Sequence, residues 1–223
     1  MDAVIVKVGG SLALRPVVLK KLCLKLSELS KTHRLIVVPG GGEFADTVRN
    51  LDKRFSLSPL TSHRMAILGM DQYGLMLAEL LLNSQVVVDL DALHEALDCG
   101  KLPVLLPSAF LFSNDALETS WDVTSDSITV YLAKTLGLTQ AILVTDVDGV
   151  FTCDPKKHVD AKLIPKVSAT ALLAETERTS VDKYLPNLLA ECKMDCYVVN
   201  GLYPERVESI LNGKETVCTL ISC

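Results

Sequence analysis

Two runs of glycine, each placed directly after a short apolar run, constrain this chain more than any other feature. Ala3–Val8 leads into Lys7-Val8-Gly9-Gly10-Ser11, and Leu35–Val38 leads into Pro39-Gly40-Gly41-Gly42. Between them, Arg15–Lys31 carries Leu19, Leu22, Leu26 and Leu29 at helical spacing. The order strand, helix, strand implies a parallel pair, so both glycine turns fall at the carboxyl edge of one sheet. Open α/β sheets hold their ligands at that edge. Adjacent glycines let backbone N–H groups close in on an anion, and a following helix N-terminus adds partial positive charge. Lys7 adds a full charge beside them. A plain turn explains either run alone; the pair points to two anion cradles side by side. Neither is a P-loop, and neither reads GxGxxG.

The alternation continues along the chain. A helix is expected from about Glu43, and Leu60–Leu82 reads as helical with interruptions near Gly69 and Gly74. Val86–Asp89 and Leu102–Leu106 read as strands around a helix Ala92–Asp98. Ser125–Leu136 is expected to be a helix, Ala141–Thr145 a strand, and Asp146–Asp160 a loop. Asp182–Cys192 and Pro204–Leu211 follow as helices, with Cys196–Val199 and Val217–Ile221 as strands. The expected fold is α/β, an open three-layer αβα sandwich with a central, mainly parallel sheet. One domain spans residues 1–223, with lobes meeting near residue 120 and a cleft around residues 107–125.

Composition narrows the function classes. The net charge is −5, which does not suit a generic nucleic-acid binder, so an anionic ligand must be held by local donors. The apolar runs are far shorter than the roughly 20 residues of a membrane span. Seven cysteines at wide spacing, with no CxxC, argue for reduced thiols rather than a disulfide framework or a zinc site. Met-Asp-Ala runs straight into a strand with no basic leader, so a cytoplasmic location is expected.

Two further segments carry candidate chemistry. Asp122-Val123-Thr124-Ser125-Asp126 opens a helix, with Asp126 in its first turn. That carboxylate, favoured there by the helix dipole, either serves as a helix cap, a role Ser125 or Thr124 could already fill, or fixes lysine side chains or a metal ion near the phosphates. Thr145-Asp146-Val147-Asp148-Gly149-Val150-Phe151 and Asp154-Pro155 follow a buried strand and suit a binding loop.

Together, KVGGS, VPGGG, DVTSD, TDVDGVF with DP, and the closing VVNG, ILNG and TLI resemble the amino acid kinase family, in that family's order along nearly the whole chain. The resemblance implies transfer of the γ-phosphoryl group of Mg2+-bound ATP to a small acceptor. It implies that Lys7 stabilises the transferring phosphoryl and that Asp126 orients the lysines. Gly9, Gly10 and Ser11 would hold ATP phosphates. Thr145, Asp146, Val150, Phe151 and Asp154 would line the nucleotide site, while Gly40, Gly41 and Gly42 would hold the acceptor. Such alignment and charge neutralisation is most of what phosphoryl transfer requires. A second catalytic lysine usual in the family is assigned to Lys183, with Lys166 and Lys162 as alternatives; no resident metal site is expected, Mg2+ arriving with ATP.

Asp46, Arg49, His63, Arg64 and Asp71 decorate the helical pair after the second glycine turn and are the candidate acceptor residues. This pattern resembles the small family members whose acceptor is a phosphate monoester and whose product is a diphosphate. Arg49 or Arg64 would then hold the acceptor phosphate, and Asp46 or Asp71 its ammonium group. A kinase forming an acyl phosphate on an amino acid or carbamate is one alternative. A non-catalytic nucleotide- or oxyanion-binding relative is another. The family resemblance also favours a homo-oligomer, with Leu60–Leu82 as a source of apolar interface.

Overall fold

The computed structural model describes residues 3–114, 117–173 and 180–222. Strand β1 (Val4–Val8) passes through a 3-10 turn (Gly10–Leu14) into α1 (Pro16–Leu29), whose apolar face returns the chain to β2 (Leu35–Pro39). Helices α2 (Gly42–Phe55) and α3 (Pro59–Leu80) form an antiparallel pair; β3 (Ser84–Val87), α4 (Leu90–Asp98) and β4 (Leu102–Leu105) complete one side of the sheet. After α5 (Pro107–Asn114) and α6 (Ser125–Thr135), β5 (Gln140–Thr145) pairs with β1. The remaining elements are β6 (Lys166–Ser168), α7 (Ala169–Leu173), α8 (Leu185–Cys192), β7 (Asp195–Asn200), α9 (Glu205–Leu211) and β8 (Thr219–Ser222).

These strands form one sheet in the order β3-β4-β2-β1-β5-β7-β8-β6. Every pairing is parallel except β7 with β8. Side chains alternate across β1, sending Ile5 to one face and Val6 and Val8 to the other. Ile5 packs in a core with Ile67 and Met70 of α3 and Ile128 of α6; Val6 and Val8 pack with Leu19, Leu22 and Leu26 of α1. Helices cover both faces, giving the αβα sandwich.

Three local expectations change. Helix α3 runs unbroken through Gly69 and Gly74. There the missing side chains admit neighbours: a Cβ on Gly69 would lie 3.2 Å from Ala45 N, and one on Gly74 would lie 2.6 Å from Leu106 Cδ2. The third strand ends at Val87 because Asp89 caps α4, accepting from Ala92 N at 2.7 Å. The helix expected from Asp182 begins at Leu185, whose N–H is taken by the Asp182 side chain at 2.9 Å. The six cysteines among the described residues are free thiols; Cys223 lies outside them. Among the described residues, no helix is long and apolar enough to cross a membrane.

Candidate active site

Lys7 sits one residue before the end of β1, on the face that meets α6. Its Nζ lies 2.6 Å from Asp126 Oδ1, with both residues buried. The glycine turns lie on either side of a shared contact. Gly9 N–H donates to Val144 O of β5 at 2.8 Å, and Gly40 N–H donates to Val8 O at 2.9 Å. A Cβ on Gly10 would stand 2.1 Å from Gly42 N and 2.3 Å from Gly42 Cα, and Gly42 itself has φ +53°. The backbones therefore touch at a distance that no side chain permits. The two turns face one cleft, beside the Lys7–Asp126 pair.

Asp182, which sequence reasoning passed over in favour of its neighbour Lys183, organises the start of α6. Its Oδ2 accepts from Thr124 N, Thr124 Oγ1 and Ser127 N at 2.9, 2.9 and 3.0 Å; its Oδ1 accepts from Ser127 Oγ at 2.5 Å. Burial raises the Asp182 carboxyl above its ordinary range, and the charge of Asp126 adds to this against the Ser127 and Thr124 hydrogen bonds. This buried acid fixes the turn that carries Asp126, which in turn fixes Lys7.

The cleft encloses about 590 Å³. Beside the first glycine turn, Gly9, Gly10, Ser11 and Thr145 contribute to the wall. Asp146, Phe151 and Asp154 stand on the loop beyond Thr145, outside the cleft lining. Burial alone would raise the Asp146 carboxyl, but Lys156 at 2.6 Å and the Ser11 hydroxyl hold it below its ordinary range. Phe151 bridges to Leu163, and Asp154 accepts from Lys156 N at 2.9 Å. Val150 does not line a surface: it is fully buried, and its N–H donates to Thr219 Oγ1 at 2.8 Å. Thr219 also donates to Ile164 O at 2.6 Å, so β8 anchors both ends of the loop.

Beside the second glycine turn, Gly41, Gly42, Asp46, Arg49 and His63 line the cleft, with Ile67 and Met70 as apolar wall. Gly40 lies one residue back, buried against β1. Arg64 and Asp71 do not join them. Arg64 stands 5.5 Å over the Phe112 ring, and Asp71 caps α5 by accepting from Ser108 N and Oγ. Burial raises the Asp71 carboxyl, partly offset by those Ser108 bonds. Their polarity on α3 serves packing with α5 rather than the cleft. Lys183 is exposed, 3.6 Å from Asp122, and with Lys162 and Lys166 lies outside the lining. Among the described residues, Lys7 is the only lysine in the cleft.

Sequence reasoning missed Trp121, and gave Ser62 and Asp52 no role. Arg49 pairs with Asp46 at 2.7 Å and stands 4.5 Å over the Trp121 ring. The indole Nε1 donates to Asp52 Oδ2 at 2.7 Å. A lone tryptophan in an irregular, polar segment was the available signal. Glu43, Asp46, Asp52 and Asp126 line the cleft against Lys7 and Arg49, so the cleft beside the two glycine turns carries an excess of negative charge.

Comparison with known proteins agrees with this geometry. A curated relative from Methanocaldococcus jannaschii, "[5-(aminomethyl)furan-3-yl]methyl phosphate kinase", is 40% identical over 217 residues, covering 97% of this chain and 96% of its own. A uridylate kinase from Pyrococcus abyssi is 24% identical over 97% of this chain and 98% of its own. Among solved structures, the uridylate kinase from Archaeoglobus fulgidus superposes with a TM-score of 0.78 at 20% identity, covering 99% of this chain and 100% of that one. The model of the amino acid kinase family matches residues 2–200, which takes in both glycine turns, Lys7, Asp126 and Asp182. On that match, and on the cleft those residues build, the chain belongs to the amino acid kinase family.

Proposed function

We propose that this chain is an ATP-dependent kinase that phosphorylates a small phosphate monoester, 5-(aminomethyl)furan-3-ylmethyl phosphate, to its diphosphate. The observation that carries the reaction type is the Lys7–Asp126 pair beside two touching glycine turns. Gly9, Gly10 and Ser11 would hold the ATP phosphates, and Gly41 and Gly42, at the start of α2, the acceptor phosphate. An acceptor oxygen forms a new bond to the γ-phosphorus as the bond to the β-phosphate oxygen breaks, and ADP leaves. Lys7, fixed by Asp126, neutralises charge on the transferring oxygens. Asp126 is already engaged by Lys7, so Mg2+ fits as a companion of the nucleotide, held by phosphate oxygens and water.

The identity of the acceptor rests on the Methanocaldococcus relative and on the charge of the cleft. A phosphate acceptor carrying an ammonium group suits a pocket with two phosphate cradles and excess carboxylate; a nucleotide monophosphate brings no such cation. We also place a homo-oligomer contact on α3, where Leu68, Leu75 and Leu82 (just past its end) are exposed at seven-residue spacing. The test is ADP release with Mg2+-ATP against a panel of the aminomethylfuran phosphate, UMP, isopentenyl phosphate, aspartate and carbamate. Turnover at least tenfold higher with the aminomethylfuran phosphate supports the reading. Preference for UMP, or for a carboxylate, replaces the acceptor; no turnover with any of them favours a non-catalytic oxyanion binder.

A further inference from the structure

The far end of the cleft holds two groups that the phosphoryl-transfer chemistry does not use. Ser62, on the first turn of α3, is only 2% exposed and lines the cleft, and its Oγ is buried without a hydrogen-bond partner. A helical serine commonly relieves its hydroxyl on the carbonyl four residues back; this one does not. Asp52 lies on the last turn of α2, and among the described residues its carboxylate has one side-chain partner, the neutral Trp121 indole N–H. The other acids of the acceptor half are differently placed. Asp46 is neutralised by Arg49, and Glu43 sits in the first turn of α2, where the helix dipole favours it.

Helix geometry puts these groups together. Gly69 of α3 packs against Phe44 and Ala45 of α2. The helices are antiparallel, so seven residues back along α3 and seven forward along α2 reach Ser62 and Asp52 at one level. That level is roughly 10 Å from the Phe44–Ala45 contact at a rise of about 1.5 Å per residue. In the proposed acceptor, seven bonds of about 1.5 Å in zigzag separate phosphorus from the amine nitrogen, a reach of roughly 8 Å. The acceptor phosphate is seated at Gly42, ten residues before Asp52 on α2, so the level of Ser62 lies roughly 15 Å from it. Hydrogen bonds of about 3 Å at both ends, with the Asp52 side chain leaning toward the start of its helix, span the difference.

We propose that Asp52 and Ser62 form an ammonium subsite at the end of the acceptor cleft, with Trp121 as the positioning residue. The Asp52 carboxylate takes the charge, and Ser62 Oγ accepts one ammonium N–H. The Trp121 indole, stacked under Arg49, holds the carboxylate in place. The subsite deepens the acceptor assignment above and rests on it.

The test separates the subsite from the reaction. With the aminomethylfuran phosphate as substrate, Ser62→Ala is expected to raise KM about tenfold, as for a lost hydrogen bond to a charged group, with kcat within about twofold. Its urea midpoint should hold or rise, because an unpartnered buried hydroxyl is removed. Asp52→Asn, which still accepts from the indole, should raise KM by at least as much. With the analogue bearing methyl in place of aminomethyl, both variants should match wild type. A KM unchanged by Ser62→Ala, or raised equally for both substrates, overturns the subsite. Independently of turnover, the emission of Trp121, the only tryptophan in the chain, is titrated with 5-methylfurfurylamine, an amine without a phosphate. A wild-type response that weakens several-fold in Asp52→Asn supports the subsite even if the kinase assay fails. No response in wild type overturns it even if the kinase assay succeeds.

Discussion

Gly10→Ala tests the contact between the two turns. The added methyl would lie 2.1 Å from Gly42 N and 2.3 Å from Gly42 Cα, and both are backbone atoms, so no side chain can swing aside. Carbon contacts are comfortable near about 3.5 Å or beyond, so the turns must part by roughly 1 Å or more. Overpacking of this kind costs about 1–3 kcal/mol of stability. The effect on rate should be larger in proportion, because a misplacement of about 1 Å between reacting groups lowers turnover about 100-fold. The assay is kcat for ADP release alongside a urea melt. Gly213→Ala is the control: Gly213 has φ +64° with nothing within 4 Å of its would-be Cβ. It should lose about 1 kcal/mol to backbone strain and keep its kcat. If Gly10→Ala loses stability as the control does and turns over within about threefold of wild type, the spacing of the turns does not set the rate and the reasoning fails.

Asp182→Asn places an amide among donors that now find carboxylate oxygens, and should cost about 2–4 kcal/mol in a urea melt. Since the same turn carries Asp126, kcat should fall with it, and a stable, fully active variant would contradict the positioning role. Asp148, paired with Arg206 at 2.6 Å and Asn200 at 2.9 Å, has its carboxyl held below the ordinary range by those groups, despite an opposing contribution from burial. A lowered folded value stabilises the protein above the unfolded value and is lost as pH falls through the folded one. Asp148→Asn should therefore flatten the loss of stability between about pH 5 and about pH 3, read as urea midpoint against pH. An unchanged acid limb would exclude that contribution.

The parts of the site that were legible in the sequence are those encoded locally. Each glycine turn follows its own strand and opens its own helix, so Gly9, Gly10, Gly41 and Gly42 announce their place within a few residues of chain. Asp126 is visible in the same way, as an acid in the first turn of a helix. What remained hidden depends on distant partners. Asp182 meets Ser127 across 55 residues, and Asp52 meets Trp121 across 69. Arg64 and Asp71 misled because a polar residue on a helix reads alike whether it faces a ligand or a neighbouring helix, here α5. Gly69 and Gly74 were read as breaks because glycine weakens a helix in isolation; tertiary packing against Ala45 and Leu106 makes use of the missing side chains. Thr219 likewise ties the loop after β5 to β8, through Val150 and Ile164, across 69 and 55 residues.

The most direct test of the account is kcat for Lys7→Met and Lys7→Arg with Mg2+-ATP and the aminomethylfuran phosphate. Lys7→Met leaves Asp126 buried without its cation, at a cost of about 3–5 kcal/mol. Lys7→Arg keeps the ion pair and the fold but displaces the charge. Loss of one electrostatic donor to the transferring group predicts a fall in kcat of about 100- to 1000-fold in both variants. A folded Lys7→Arg protein with wild-type kcat would show that the ammonium beside the glycine turns takes no part in phosphoryl transfer.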